Sequence, residues 1–199
     1  MKTVVRPWLL AACFIAAAIP ARAEWQAVEK VETYAISGKT GPELYASIGE
    51  RGPKVGGGVR AIAHTDFKLT WQRDYQPKGD ACTLVSARPK LIITYKLPKP
   101  SGKLPTAVQK NWDAFSAGVH KHEQVHGDHI KDMVKAIEAA SVGLTVPNDL
   151  GCAKIRTELT KRLSELSLAQ RQRSRDFDRV ELSDGGNVHQ LILSLVSGG

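Results

Sequence analysis

Hydrophobic positions along the chain change period about halfway. From Ile62 to Tyr75 they alternate: Phe67, Leu69 and Trp71 fall on one side, Asp66, Lys68 and Thr70 on the other. A period of two predicts a half-buried strand. Val28–Ile36, Cys82–Ala87 and Lys90–Lys96 are further strand candidates, bounded by Ser37-Gly38, Pro77-Lys78-Gly79-Asp80 and Leu97-Pro98. Together they predict a small antiparallel sheet. Gly41-Pro42-Glu43-Leu44 opens a short helix that should stop near Gly52-Pro53, since Pro is favoured in a first turn. The run Gly56-Gly57-Gly58 lacks the Lys-Ser/Thr that would follow a phosphate loop, so it reads as a turn.

After Pro105 the apolar spacing becomes three and four: Val108, Trp112, Phe115, Val119, then Ile130, Met133 and Ile137. This is one face of a long helix, ending near Val142-Gly143. A second long helix is expected from about Leu150 to Phe177, with Ile155, Leu159, Leu163, Leu166, Gln170 and Phe177 inward. Val188–Val196 fits a closing strand or a short helix. The predicted fold class is therefore α+β: a small antiparallel sheet followed by two long antiparallel helices joined as a hairpin.

The gap in the first helix's stripe, between Val119 and Ile130, is where chemistry appears. His122-Glu123-Gln124-Val125-His126 occupies it, with both histidines in register with the apolar face. Residues four apart stack on one helical face, so the two imidazoles can reach one zinc ion at ~2.0–2.1 Å. Glu123 then stands at the open side as general base and acid. A catalytic zinc needs a third protein ligand. His129 lies on the same face but about 10.5 Å along the axis from His122, so it is a candidate only if the helix breaks, as Gly127 could break it. Folding the second helix back along the first brings residues 165–178 opposite the motif, which adds Glu165, Asp176 and Asp178, with Asp184 in the next loop.

Composition narrows the setting. Met1-Lys2-Thr3-Val4-Val5-Arg6, an apolar run from Trp8 to Ile19, and Pro20-Ala21-Arg22-Ala23 are the three parts of a signal peptide. Residues 1–23 are expected to be cleaved, leaving 24–199 as a single zincin-like domain, secreted or periplasmic. No second apolar run is long enough to predict stable membrane insertion. The net charge of +8 falls to +5 once Lys2, Arg6 and Arg22 leave. In an exported chain this favours contact with anionic envelope polymers or acidic proteins over nucleic acid, or is simply a solvated basic surface; the expected partner of the metal site is a peptide or protein substrate in the cell envelope. Cys82 and Cys152 remain and predict one disulfide closing a loop of about 70 residues.

The chain resembles the family of predicted secreted zinc-dependent proteases over most of residues 34–186. The resemblance is carried by Tyr34-Ala35-Ile36-Ser37-Gly38 with Leu44, Gly52-Pro53, Trp71, Cys82, Leu97-Pro98, Trp112, the HExxH at 122–126 and Cys152. The family's tail has an aromatic-Asp pair, matched by Phe177-Asp178, and the resemblance implies Asp178 as third ligand beside His122 and His126. Two positions depart from it: Asp184 stands where a His is expected, and Asp128 where an apolar residue is usual. The resemblance implies a zinc-dependent peptidase using zinc-activated water, with Glu123 as base. A non-catalytic zinc-stabilised envelope-binding module and a hydrolase of a non-peptide or cell-wall amide are the alternatives. By analogy with other zinc peptidases, strand Lys90–Tyr95 is expected to bind extended substrate along its edge.

Overall fold

The computed structural model describes residues 25–198; the expected signal peptide, residues 1–23, lies outside them. The order is β1 (Val28–Ile36), α1 (Gly41–Arg51), β2 (His64–Lys78), β3 (Ala81–Pro100), α2 (Thr106–Ser141), β4 (Thr145–Val146), α3 (Lys154–Leu182) and α4 (Asn187–Ser197). This is a mixed α+β fold with a small sheet and helices. No helix among the described residues is long and apolar enough to cross a membrane.

Local chemistry explains the element ends. Thr40 caps α1 through a capping box with Glu43, Pro42 lies in the first turn, and Gly52 terminates the helix. The α3 start is held from further upstream. Asp149 accepts the backbone N–H groups of Ala153, Lys154 and Ile155 at 2.8, 3.1 and 2.9 Å. Those orphan donors of a first turn explain why the helix begins at Lys154 and not at Leu150. It also runs past Phe177 to Leu182. Val188–Val196 belongs to helix α4, not to a strand.

The sheet corrects the expectation in two ways. Its order is β1-β3-β2, with β2 antiparallel to β3 but β1 parallel to β3, so it is mixed. Side-chain alternation reports which face is buried, not strand direction, so the sequence pattern could not separate the two pairings. The strands expected at 82–87 and 90–96 are also one continuous β3. A register shift lies opposite Asp74 and Tyr75, where Ser86 and Leu84 are the partners and Val85 is extra. Such a bulge switches the inward parity. Cys82 and Leu84 are buried before it; Ala87, Leu91, Ile93 and Tyr95 are buried after it. One strand thereby feeds two cores.

The larger core packs Leu91, Ile93 and Tyr95 against Val108, Trp112, Phe115, Val119, Ile130 and Val134 of α2. The smaller joins Cys82, Leu84 and Ala87 to Cys152, Ile155 and Leu159, closed by a Cys82–Cys152 disulfide with Cα atoms 5.3 Å apart. β3 has neighbours on both edges, so Lys90–Tyr95 is not free to pair with a substrate. Among the described residues, the strand beside α2 whose outer edge has no neighbouring strand is β2.

Candidate metal centre

Helix α2 is unbroken through 106–141, so the expected 3.6-residue period holds across the HExxH segment. His122, Glu123 and His129 are buried in the gap of the apolar stripe, and His126 is partly buried. Gln124 faces outward. Gly127 is required at its position. A Cβ there would lie 2.3 Å from Tyr95 Oη, and that hydroxyl is anchored at 2.6 Å to Glu29. The missing side chain lets α2 sit close on β3 at the level of the two histidines.

Helix α3 supplies the other wall. Contacts run down α3 as they run up α2: His122 and His126 meet Asp178, His129 meets Ser174, and Asp132 meets Arg173. Asp178 Oδ1 is 3.1 Å from His122 Nε2 and 2.8 Å from His126 Nε2, and the two Nε2 atoms are 3.1 Å apart. Among the described residues, His122, His126 and Asp178 form the group whose ligand atoms all lie within 4.8 Å of one another. Glu165 and Asp184 are exposed and outside it. Asp176 is paired with Arg179 at 2.7 Å. His129 is held by Ser174 at 3.3 Å, and Ser174 also accepts from Gln170. Asp128 points away and pairs with Lys131 at 2.8 Å, so its charge is spent outside the site.

Three further residues shape the centre. Thr65 Oγ1, on β2, donates to Glu123 Oε2 at 2.6 Å and to the Glu123 carbonyl at 3.1 Å, which leaves Oε1 of the same carboxylate free of that contact. Phe177 stacks on His122 with centroids 4.7 Å apart and meets His126 and His129 edge-on, fixing ring orientation. Glu181 Oε2 lies 3.8 Å from His122 Nδ1, a buried nitrogen with no hydrogen-bond partner among the described residues. Glu181 follows Asp178 by three residues on the same helical face, a spacing the sequence displays; Thr65 carries no comparable signal.

Charge and burial compete at each group. Burial disfavours the Asp178 carboxylate, but hydrogen bonds and charge from His122 and His126 prevail and hold its pKa well below the usual range. Burial likewise opposes a charged His126, yet Asp178 and Glu123 outweigh it and raise the pKa. For His129, burial and then the Arg173 and His126 charges act together and lower it. The three ligand atoms also suit a metal. Two imidazole nitrogens and one carboxylate oxygen form a zinc-type donor set. Bonds of ~2.0–2.1 Å to a four-coordinate ion place ligand atoms roughly 3.3 Å apart, close to the spacing observed. A cavity of about 850 Å³ opens over them, bounded by β2 residues His64 to Phe67, by α3, and by apolar Val119, Ile130 and Val188.

A model of the family described as "Bacterial protein of unknown function (DUF922)" matches residues 31–186. No curated protein and no solved structure matches the chain.

Proposed function

The chain belongs to this bacterial family of unknown function, DUF922, and we propose that it is an exported zinc-dependent peptidase with a zincin-like site. The observation that carries the reading is the convergence of His122 Nε2, His126 Nε2 and Asp178 Oδ1, with Glu123 adjacent to the first of them and a cavity above. In this reading α2 and α3 form an antiparallel pair, His122, His126 and Asp178 hold the ion, and the Cys82–Cys152 disulfide suits an oxidising compartment.

When bound, zinc supplies a Lewis acid for the scissile carbonyl and makes water nucleophilic near neutral pH. The residues of the chain do the rest. Glu123 Oε1 takes one proton from the attacking water and passes it to the departing amine, so a peptide bond and one water become an acid and an amine. Thr65 keeps Oε2 occupied and orients the carboxylate. Phe177 orients His122 by stacking on its ring, and Glu181 stands 3.8 Å from its Nδ1, on the side where outer partners of metal-bound histidines lie. The open edge of β2 beside the cavity offers backbone groups to an extended peptide, replacing the role expected of Lys90–Tyr95.

The test is hydrolysis. Zinc-loaded protein comprising residues 24–199 is expected to cleave unstructured peptides from a random library, to stop when a chelator strips the ion, and to resume when zinc is returned. Protein that holds zinc but cleaves no peptide in the library contradicts the peptidase reading and favours the binding module.

A further inference from the structure

The arginines of α3 divide into two sets. Arg162 pairs with Glu158, Arg173 with Asp132 and Arg179 with Asp176, while Arg156 lies over the Tyr75 ring, 4.1 Å from its centroid. Arg171 and Arg175 are different. Arg175 donates to the neutral side chain of Gln172, and Arg171 has no hydrogen bond or ion pair among the described residues. These two, unlike the paired ones, line the cavity above His122 and His126. Among the arginines of the helix, those outside the cavity lie against an acid or an aromatic ring, while the two that line it have no acidic partner among the described residues.

The opposite wall does not compensate it. Arg60 lines that wall, with one guanidinium nitrogen donating to the Gly52 carbonyl. The acid beside it, Asp66, is paired with Lys96 and with His64. Glu123 and Asp178 are the remaining carboxylates of the lining, and together they balance a divalent ion. With the ion in place, the cavity keeps uncompensated positive charge.

We propose that the cavity recognises a carboxylate on its substrate, and that Arg171 and Arg175 bind it. Guanidinium forks match a carboxylate with paired, charge-assisted hydrogen bonds. The inference rests on the peptidase reading for what is cut, but not for what is bound. Arg175 and Arg171 precede Asp178 by three and seven residues, about 4.5 and 10.5 Å along the helix axis. An extended peptide advances ~3.3 Å per residue. The carboxylate therefore belongs roughly one to three residues from the bond over the ion. An Asp or Glu side chain and a chain-terminal carboxylate supply the same group.

Binding to zinc-loaded Glu123→Gln protein tests the proposal, because that variant holds a peptide without cutting it. The probes are end-blocked hexapeptides carrying Glu at each position in turn, their Gln counterparts, and unblocked peptides ending in a free acid or an amide, all followed by fluorescence anisotropy. Peptides with the carboxylate are expected to bind roughly tenfold or more tightly than their neutral counterparts. Preference for internal Glu identifies a side chain as the source; preference for the free acid alone identifies the chain end. Adding Arg171→Gln and Arg175→Gln is expected to reduce the preference to about twofold or less, whereas Arg162→Gln, outside the cavity, leaves it intact. Equal binding of acidic and neutral peptides, or binding of neither, overturns the proposal, as does a preference that survives the double substitution. The melting temperature of each variant shows that it is folded. Carboxylate preference without hydrolysis by the wild type retires the peptidase reading alone; hydrolysis without that preference retires this inference alone.

Discussion

Replacing Glu123 with Gln is expected to lower peptide hydrolysis roughly 100- to 10,000-fold while the protein keeps its zinc. The substitution preserves the shape of the side chain and leaves an oxygen for Thr65 Oγ1 to donate to, at the position where it now meets Oε2 at 2.6 Å. It removes the one thing the mechanism asks of Glu123, the capacity to take a proton and return it; general acid–base catalysis contributes about that range of rate. Because Glu123 lies outside the group formed by His122, His126 and Asp178, metal content should not change. The loss should fall on kcat and leave KM nearly unaltered, since proton transfer matters in the transition state and not in substrate binding. Hydrolysis within tenfold of wild type would assign the base elsewhere. Loss of zinc along with activity would place Glu123 in the metal shell instead.

The largest effect on stability is expected from the disulfide. Cys82 and Cys152 are 70 residues apart in sequence, so opening the bridge in Cys82→Ser/Cys152→Ser restores to the unfolded chain the freedom of a long loop, worth about 4 kcal/mol in the chain-entropy treatment. For a domain of this size that corresponds to a fall in Tm of roughly 8–16 °C. The site lies far along α3 from Cys152, and the hydrogen bonds from Asp149 to the α3 start remain. Zinc binding at 25 °C should therefore survive while the melting temperature falls. Calorimetry of the double variant beside the wild type reads both points, and a Tm lowered by less than about 2 °C would mean the bridge restrains little beyond what packing already does.

What could be read in the sequence follows from which physical signals are local. The helical phase linking Val119, His122, His126 and Ile130 is a matter of spacing, so the inward placement of the imidazoles was legible. So was the capping of α1, written in Thr40, Pro42 and Glu43. Asp178 was only half legible. Folding α3 back on α2 left Glu165, Asp176, Asp178 and Asp184 open, and the aromatic-Asp pair singled out Asp178 by resemblance; the structure adds the reason for the pair, since Phe177 stacks on the ring of His122. Thr65 was not legible, because a hydroxyl 58 residues from its partner leaves no pattern. Nor was the parallel pairing of β1 with β3, since alternation is the same for both strand directions. One strand looked like two because Pro89 lies between the expected segments; it is accommodated in β3 ahead of the β1 pairing, which begins at Ile92. Asp128, a departure from the usual apolar residue, costs the site nothing because it turns outward to Lys131.

Metal content is the most direct test of the central claim, that His122, His126 and Asp178 together hold one zinc ion. Protein comprising residues 24–199 purified without chelator, and its His126→Ala and Asp178→Ala variants, should be dialysed against zinc, desalted and analysed for metal by mass spectrometry. The account predicts about one zinc per wild-type chain, with occupancy lost in His126→Ala and sharply reduced in Asp178→Ala, as expected when one of three protein ligands is removed. Wild-type protein that takes up no zinc, or variants that retain it fully, would contradict the account.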